Sequence, residues 1–212
     1  MRFVQGIAFP EADRQMAADM RADGTYQADH LTAALRHVTD WSCAIDGGAH
    51  VGLWTRLMAP RFGRVLAFEP SPDTFECLEA NSQGLSNVRC YSMALGDAPG
   101  SVSMTWSEAC AARANTGGRF VQPGGDIQVI TIDSLQLPSL GFLKLDVEGY
   151  EPHALAGAVE TIARCKPIVL YERKFHWTHN FGLPKNAVTD ILGGLGYHEL
   201  ERVGGDAIWG PR

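Results

Sequence analysis

The chain has 212 residues, 45% of them hydrophobic and 20% charged, with a formal net charge of −6. That is the length and composition of one soluble globular domain with a full core, no apolar run reaches membrane-span length, and the acidic balance argues against nonspecific holding of nucleic acid. The five cysteines, Cys43, Cys77, Cys90, Cys110 and Cys165, form no CxxC pair and read as reduced core thiols of a cytoplasmic protein.

In chain order, MRFVQGIAFPEADRQ is a broken apolar patch followed quickly by acids, which makes a poor signal peptide. Residues 1–40 read as a helical preface, with Leu31, Ala34, Leu35 and Val38 at helical spacing, and 41–212 as the main domain. From there strand, turn and helix alternate. SCAID is a short apolar strand ending in Asp46, GGAHVG the turn and LWTRLMAPRF the helix behind it. VLAFE is the second strand, and its helix opens at Ser71-Pro72, a capping residue followed by proline at the first helical position. NVRCYSMAL is the third strand, FLKLD the fourth and PIVLYE the fifth. A helix starting near Pro152 presents Ala154, Leu155, Ala158 and Ile162 on one side. YHELERV, Gly204-Gly205 and DAIWG read as a closing β-hairpin. Between Val102 and Asp133 an additional strand-like SVSMTW, a Gly/Ala-rich loop and IQVITID form a candidate lid centred on Asn115 to Gly118. Five strands alternating with helices predict an α/β fold with a parallel doubly wound sheet, and the terminal hairpin adds antiparallel pairing to it.

Ligands of such sheets sit at the carboxyl ends of the strands, where Asp46, Glu69, Asp97, Asp146 and Glu172 all fall. Converging acids suit a cationic ligand; a dinucleotide carries a pyrophosphate that they would repel. Gly47, Gly48 and Gly52 let the backbone approach a ligand and turn into a helix. The dinucleotide fingerprint is only partly met, because its second glycine position, counted from Gly47, is Ala49. Glu69, at the end of the second strand, is placed to accept hydrogen bonds from both ribose hydroxyls of either cofactor class.

The order DGGAHVG, AFEP, ALGD, ITIDSL, LKLDVEGYE, PIVLYE resembles the FkbM family of methyltransferases, from about Cys43 to Lys174, and LKLDVEGYE is its most specific block. The resemblance implies a Rossmann-like class I methyltransferase fold with a seven-stranded, mostly parallel sheet. It implies S-adenosylmethionine as cofactor and methylation of a hydroxyl oxygen on a sugar, glycan, polyketide or other small metabolite. By the same resemblance Asp46 and Gly48 line the methionine portion, Glu69 the ribose, and the segment Ala94, Leu95 to Asp97 the adenine, while Gly47, Ala49, His50, Gly52, Pro70 and Asp146 complete the cofactor-binding set. Asp146 and Glu148 face the reacting methyl group. His50 and Trp54 stand where the family varies. The acceptor pocket is left to the preface and the lid.

The cofactor is already activated, so the protein must align the acceptor oxygen with the methyl and sulfur, and a base must take the hydroxyl proton. Asp146 is the first candidate base, then Glu148 and Glu172; Glu148 also reads as an acid favouring a helix start. Glu151, just ahead of Pro152, reads as a capping acid, and Lys144, inside a strand, either pairs with a rim acid or snorkels outward. No metal site is assigned. Glu172, His176 and His179 have the spacing of one helical face, and a divalent ion on Asp146 and a neighbouring acid would acidify an acceptor diol. Phe175, Trp177 and Phe181 either stack on a sugar or base or cover a core end. Three alternatives stand beside this reading: a nucleotide or nucleic-acid methyltransferase, a nicotinamide-dependent oxidoreductase, and a module that binds adenosylmethionine without transferring a methyl.

Overall fold

The computed structural model describes residues 1–106, 108–173 and 181–212. The first departure from expectation comes at the N-terminus. Arg2–Val4 (β1) and Ile7–Phe9 (β2) pair as a hairpin rather than as part of a helical preface, because Gln5 and Gly6 both take positive φ in the two-residue turn. Ile7, Ala8 and Phe9 are buried against Val51, Leu53 and Cys77. Asn81 fixes the hairpin by accepting from the Ala8 N–H (2.7 Å) and donating to the Ala8 carbonyl (2.9 Å). A short helix, Gln15–Asp19 (α1), follows; the amphipathic helix Ala28–Leu35 (α2) buries Leu31, Ala34 and Leu35 as expected, with Val38 buried just beyond its end.

The main sheet has seven strands. Cys43–Gly47 (β3), Arg64–Phe68 (β4) and Val88–Tyr91 (β5) run parallel, and further along the chain Phe142–Leu145 (β10) joins β3 and Ile168–Glu172 (β11) joins β10, also parallel. Tyr197–Val203 (β12) and Asp206–Pro211 (β13) form the closing hairpin, with β13 antiparallel to β11. The spatial order is β12-β13-β11-β10-β3-β4-β5. Strands buried on both faces send alternate side chains to opposite layers. Ile45, Leu66, Leu143 and Val169 meet one layer, with Leu155, Ile162 and Leu192; Ala44, Val65, Phe142 and Leu170 meet the other, with Leu35, Trp54 and Met58.

Leu53–Met58 (α3) follows the glycine loop, and Pro72–Asn81 (α4) starts where expected, with proline in its first turn and Ser71 at the cap position, although the Ser71 side chain makes no capping hydrogen bond. The expected third strand splits. After Tyr91, whose ring stacks on Phe68 at 4.8 Å, the chain leaves the main sheet, and Ala94–Leu95 (β6) pairs instead with Ile127–Ile130 (β9). With Gly100–Trp106 (β7) and Arg119–Pro123 (β8) these make a four-stranded sheet of order β6-β9-β7-β8, and Glu108–Ala112 (α5) lies between its last two hairpin strands in sequence.

The helix after β10 also splits, into Glu151–Ala156 (α6) and Val159–Cys165 (α7), although Ala154, Leu155, Ala158 and Ile162 are all fully buried as expected. The break sits at Gly157, where a Cβ would lie 2.0 Å from the Gly96 carbonyl and whose own carbonyl accepts from the Asp133 N–H at 2.8 Å. The Asp133 carboxylate then caps the second piece, taking the N–H groups of Glu160 (3.1 Å) and Thr161 (2.7 Å). Ala187–Gly194 (α8) precedes the hairpin.

Among the described residues no helix is long and apolar enough to cross a membrane. Burial pushes the Cys43 and Cys77 thiols up to about 11.

Candidate functional site

At the carboxyl ends of β3, β4, β10 and β11 lies a cavity of about 920 Å³, counting its open mouth. Of the residues singled out from the sequence, Gly48, His50, Glu69, Pro70, Ala94, Leu95, Asp146, Glu148 and Glu172 line it. Asp46, Gly47, Ala49, Gly52 and Asp97 do not. The preface adds Met16, Tyr26 and Gln27 to the wall, and the lid segment adds Asn115, Thr116 and Arg119.

The glycine loop is built tightly on β10. Gly48 has φ +71, and a Cβ on it would lie 1.8 Å from the Asp146 carbonyl, so glycine is required there on both counts. Asp46, expected to touch the cofactor, is fully buried beneath the loop instead. Its Oδ2 accepts from the Thr55 hydroxyl (2.6 Å) and its Oδ1 from Lys144 Nζ (2.9 Å), which also donates to the Gly48 carbonyl (3.0 Å). Lys144 therefore pairs inward rather than snorkelling, and lies 5.6 Å from the centre of the Trp54 ring. Burial works against its charge, but the carboxylates of Asp46 and Asp146 outweigh that and raise its pKa above the ordinary lysine value. Asp97 pairs at the surface with His153 Nδ1 at 3.0 Å.

Glu69 is nearly buried. Its Oε2 accepts from the His50 N–H (2.8 Å); its Oε1 accepts from the Ser71 N–H (2.9 Å) and the Thr74 hydroxyl (2.8 Å). These donors hold the carboxylate at the cavity wall beside Pro70.

Across the cavity, Asp146, Glu148 and Glu172 each bring a carboxylate oxygen within 4.8 Å of one another. They come from two strand ends and the turn between β10 and α6. Glu148 is buried with φ +57, a left-handed conformation that costs a non-glycine residue about 1–3 kcal/mol and collects at functional sites. Three carboxylates are hard oxygen donors of the kind that hold Mg²⁺ or Ca²⁺. The alternative set with Glu172 includes His176 and His179, which lie outside the described residues, as do Phe175 and Trp177. Phe181 packs edge-on against Tyr150 at 5.0 Å, and Tyr150 lines the cavity.

Glu151 does more than begin a helix. It is buried, and its Oε1 accepts from the N–H groups of Val147 (3.0 Å) and Gly149 (3.3 Å), clamping the turn that carries Asp146 and Glu148. Burial, reinforced by the Asp146 charge and partly offset by those backbone donors, pushes its carboxyl up to about 7. A raised carboxyl pKa means that the folded state holds a proton the unfolded state has released. Its stabilisation is therefore present in acid and is lost as pH rises from about 4.5 through about 7. Urea unfolding at about pH 5 and pH 8 should accordingly show wild type losing stability relative to Glu151→Gln between the two. A constant difference between the two proteins would place the Glu151 pKa near its ordinary value.

One constellation was not legible in the sequence. Thr116, in a single turn of 3-10 helix (Thr116–Gly118), hydrogen-bonds through its hydroxyl and its N–H to the fully buried Asp13 carboxylate, and its hydroxyl oxygen lies 2.7 Å from His50 Nε2. Asp13 in turn accepts from the Met16 N–H at 3.0 Å. Preface, lid and glycine loop thus meet in one chain of contacts. Burial lowers the His50 pKa despite the nearby Glu69, Asp13 and Asp146 charges, so the ring is neutral. Arg119, a lid cation that lines the cavity, is engaged in the protein: it pairs with the Asp73 carboxylate and its guanidinium lies 4.5 Å over the Trp106 ring.

Residues 46–198 match the family described as the methyltransferase FkbM domain. The fold is similar to an FkbM methyltransferase from Methylobacillus flagellatus KT, with TM-score 0.52 and 16% identity over 80% of this chain, which spans 43% of that one. It is similar over 97% of its length to 98% of a precorrin-6y C5,15-methyltransferase from Geobacter metallireducens GS-15 (TM-score 0.51, 10% identity). It is also similar over 87% of its length to 94% of the N-methyltransferase NodS from Bradyrhizobium japonicum WM9 (TM-score 0.51, 12% identity). No curated protein sequence matches. At these identities the solved structures establish the fold, a Rossmann-like class I methyltransferase sheet, while the domain match, over most of the chain, establishes the family. The chain belongs to the FkbM methyltransferase family.

Proposed function

We propose that the cavity binds S-adenosylmethionine and that the enzyme transfers its methyl group to a hydroxyl oxygen of a sugar, glycan or other small metabolite. The observation that carries this reading is the meeting of Asp146, Glu148 and Glu172 within 4.8 Å in a cavity whose other wall holds Glu69 and the Gly48 loop. Three carboxylates at one end favour a sulfonium and an ammonium and disfavour a pyrophosphate. Gly48 then lines the methionine portion, Glu69 and Pro70 the ribose, and Ala94 and Leu95 the adenine.

The bound cofactor supplies a methyl group already activated for transfer. The chain's own residues supply position and proton transfer. Asp146 accepts the hydroxyl proton as the acceptor oxygen takes the methyl and the carbon–sulfur bond breaks, leaving adenosylhomocysteine. Glu148 and Glu172 stand close enough to share that role or to hold a divalent ion against the acceptor.

The test is a transfer assay with methyl-labelled adenosylmethionine and separate pools of small metabolites, glycans, nucleic acids and proteins, each with and without magnesium. Label in the metabolite or glycan pool is the expected result. Label in nucleic acid would overturn the acceptor class, and adenosylhomocysteine binding with no label in any pool would favour a module that only holds its ligand. In the same preparation Glu69→Ala should weaken adenosylhomocysteine binding by about 1–3 kcal/mol, the cost of stranding buried polar groups. Unchanged affinity would remove Glu69 from the ribose.

A further inference from the structure

Counting acceptors around Glu69 exposes a gap. A carboxylate offers about four lone-pair directions. On Glu69 the Ser71 N–H and the Thr74 hydroxyl occupy Oε1 at 2.9 and 2.8 Å, and the His50 N–H occupies one direction of Oε2 at 2.8 Å. The Thr74 hydroxyl also lies 3.0 Å from the Ser71 carbonyl, but the carboxylate is both the nearer and the stronger acceptor. Among the described residues one direction remains, on Oε2. A ribose brings two neighbouring hydroxyls, and each needs an acceptor once it is buried.

The second acceptor is on the residue that already touches Oε2. The Thr116 hydroxyl has one proton, and the Asp13 carboxylate beside it can only accept, so that proton points to Asp13. The hydroxyl oxygen then accepts from His50, which places the imidazole proton on Nε2. A neutral ring protonated at Nε2 carries a bare lone pair on Nδ1. Nδ1 is buried and has no hydrogen-bond partner among the described residues, in a ring that lines the cavity.

We propose that His50 Nδ1 accepts one ribose hydroxyl of the bound adenosyl ligand while Glu69 Oε2 accepts the other, with Thr116 and Asp13 as positioning residues that fix the His50 tautomer. The proposal rests on the reading that the cavity holds adenosylmethionine. It assigns the N-terminal segment a part in cofactor recognition, through Asp13.

Calorimetry on the full chain, with adenosylhomocysteine and its 2′-deoxy and 3′-deoxy analogues as probes, tests the proposal. In wild type each deoxy analogue should bind roughly 5- to 100-fold more weakly, since each leaves a buried acceptor unmet. In His50→Gln, whose amide reaches the Nε2 position but offers nothing at Nδ1, one of the two penalties should vanish and the other persist. In His50→Asn, whose side chain can place an oxygen at the Nδ1 position, both should persist. Imidazole nitrogen NMR on wild type gives a readout independent of any variant: His50 should be protonated at Nε2 and bare at Nδ1, and the Nδ1 resonance should move when adenosylhomocysteine binds. Thr116→Val should admit the other tautomer in the same spectrum. Both penalties surviving undiminished in His50→Gln, or an Nδ1 resonance that ignores the ligand, would overturn the proposal and leave the cofactor reading standing. Failure of wild type to bind adenosylhomocysteine would remove that reading and the proposal with it.

Discussion

Asp146→Asn should slow methyl transfer by about 10²- to 10⁴-fold, the usual contribution of a positioned general base, while leaving the fold intact. The main chain at this position is fixed independently of the side chain: the Asp146 N–H donates to the Gly47 carbonyl at 3.0 Å, and its carbonyl packs against Gly48. Asparagine preserves volume and shape there and removes the negative charge together with the ability to take a proton. The loss should appear in kcat, with a smaller effect on cofactor affinity, because the neighbouring carboxylates of Glu148 and Glu172 remain to meet the sulfonium. Single-turnover transfer to the acceptor found in the pool assay measures this directly. An undiminished rate would move the base to Glu148 or Glu172, and the same substitution at each would locate it.

What the sequence made legible was whatever depends on local pattern. Apolar runs ending in acids located five strands and the rim that carries Glu69, Asp146 and Glu172; Ser71-Pro72 located a helix start; Gly204-Gly205 located the closing hairpin. Features decided by distant partners were not legible. The β1–β2 turn uses Gln5 at positive φ, a residue with no turn signature of its own. The helix break at Gly157 depends on a carbonyl contact with Gly96 and on a cap from Asp133. Asp46 has the same strand-end signature as Glu69, yet it turns inward because Lys144, on the adjacent strand, is registered directly opposite it. The link from Thr116 to Asp13 spans 103 positions of sequence, and no spacing rule reaches that far.

The Asp46–Lys144 pair is where the fold and the site meet, and breaking it should have the largest effect on stability. Both side chains are nearly or fully excluded from solvent, at 0% and 5% exposure, so removing either charge strands the other. Lys144→Met should therefore lower the unfolding free energy by about 3–5 kcal/mol, against a typical total of about 5–15 kcal/mol. For a chain of this size that corresponds to a fall in Tm of roughly 2–4 °C per kcal/mol. Lys144 also donates to the Gly48 carbonyl, so the loop that meets the ligand should loosen with it, and adenosylhomocysteine affinity should fall even in the fraction that stays folded. The double variant Asp46→Asn with Lys144→Met separates charge from packing. It leaves no unpaired charge and keeps an acceptor for the Thr55 hydroxyl, so it should recover part of the lost stability. Denaturant midpoints of the two single variants and the double measure that coupling. If the effects instead added without recovery, the loss would lie in packing against Trp54, and the ion pair would contribute little to holding the loop in place.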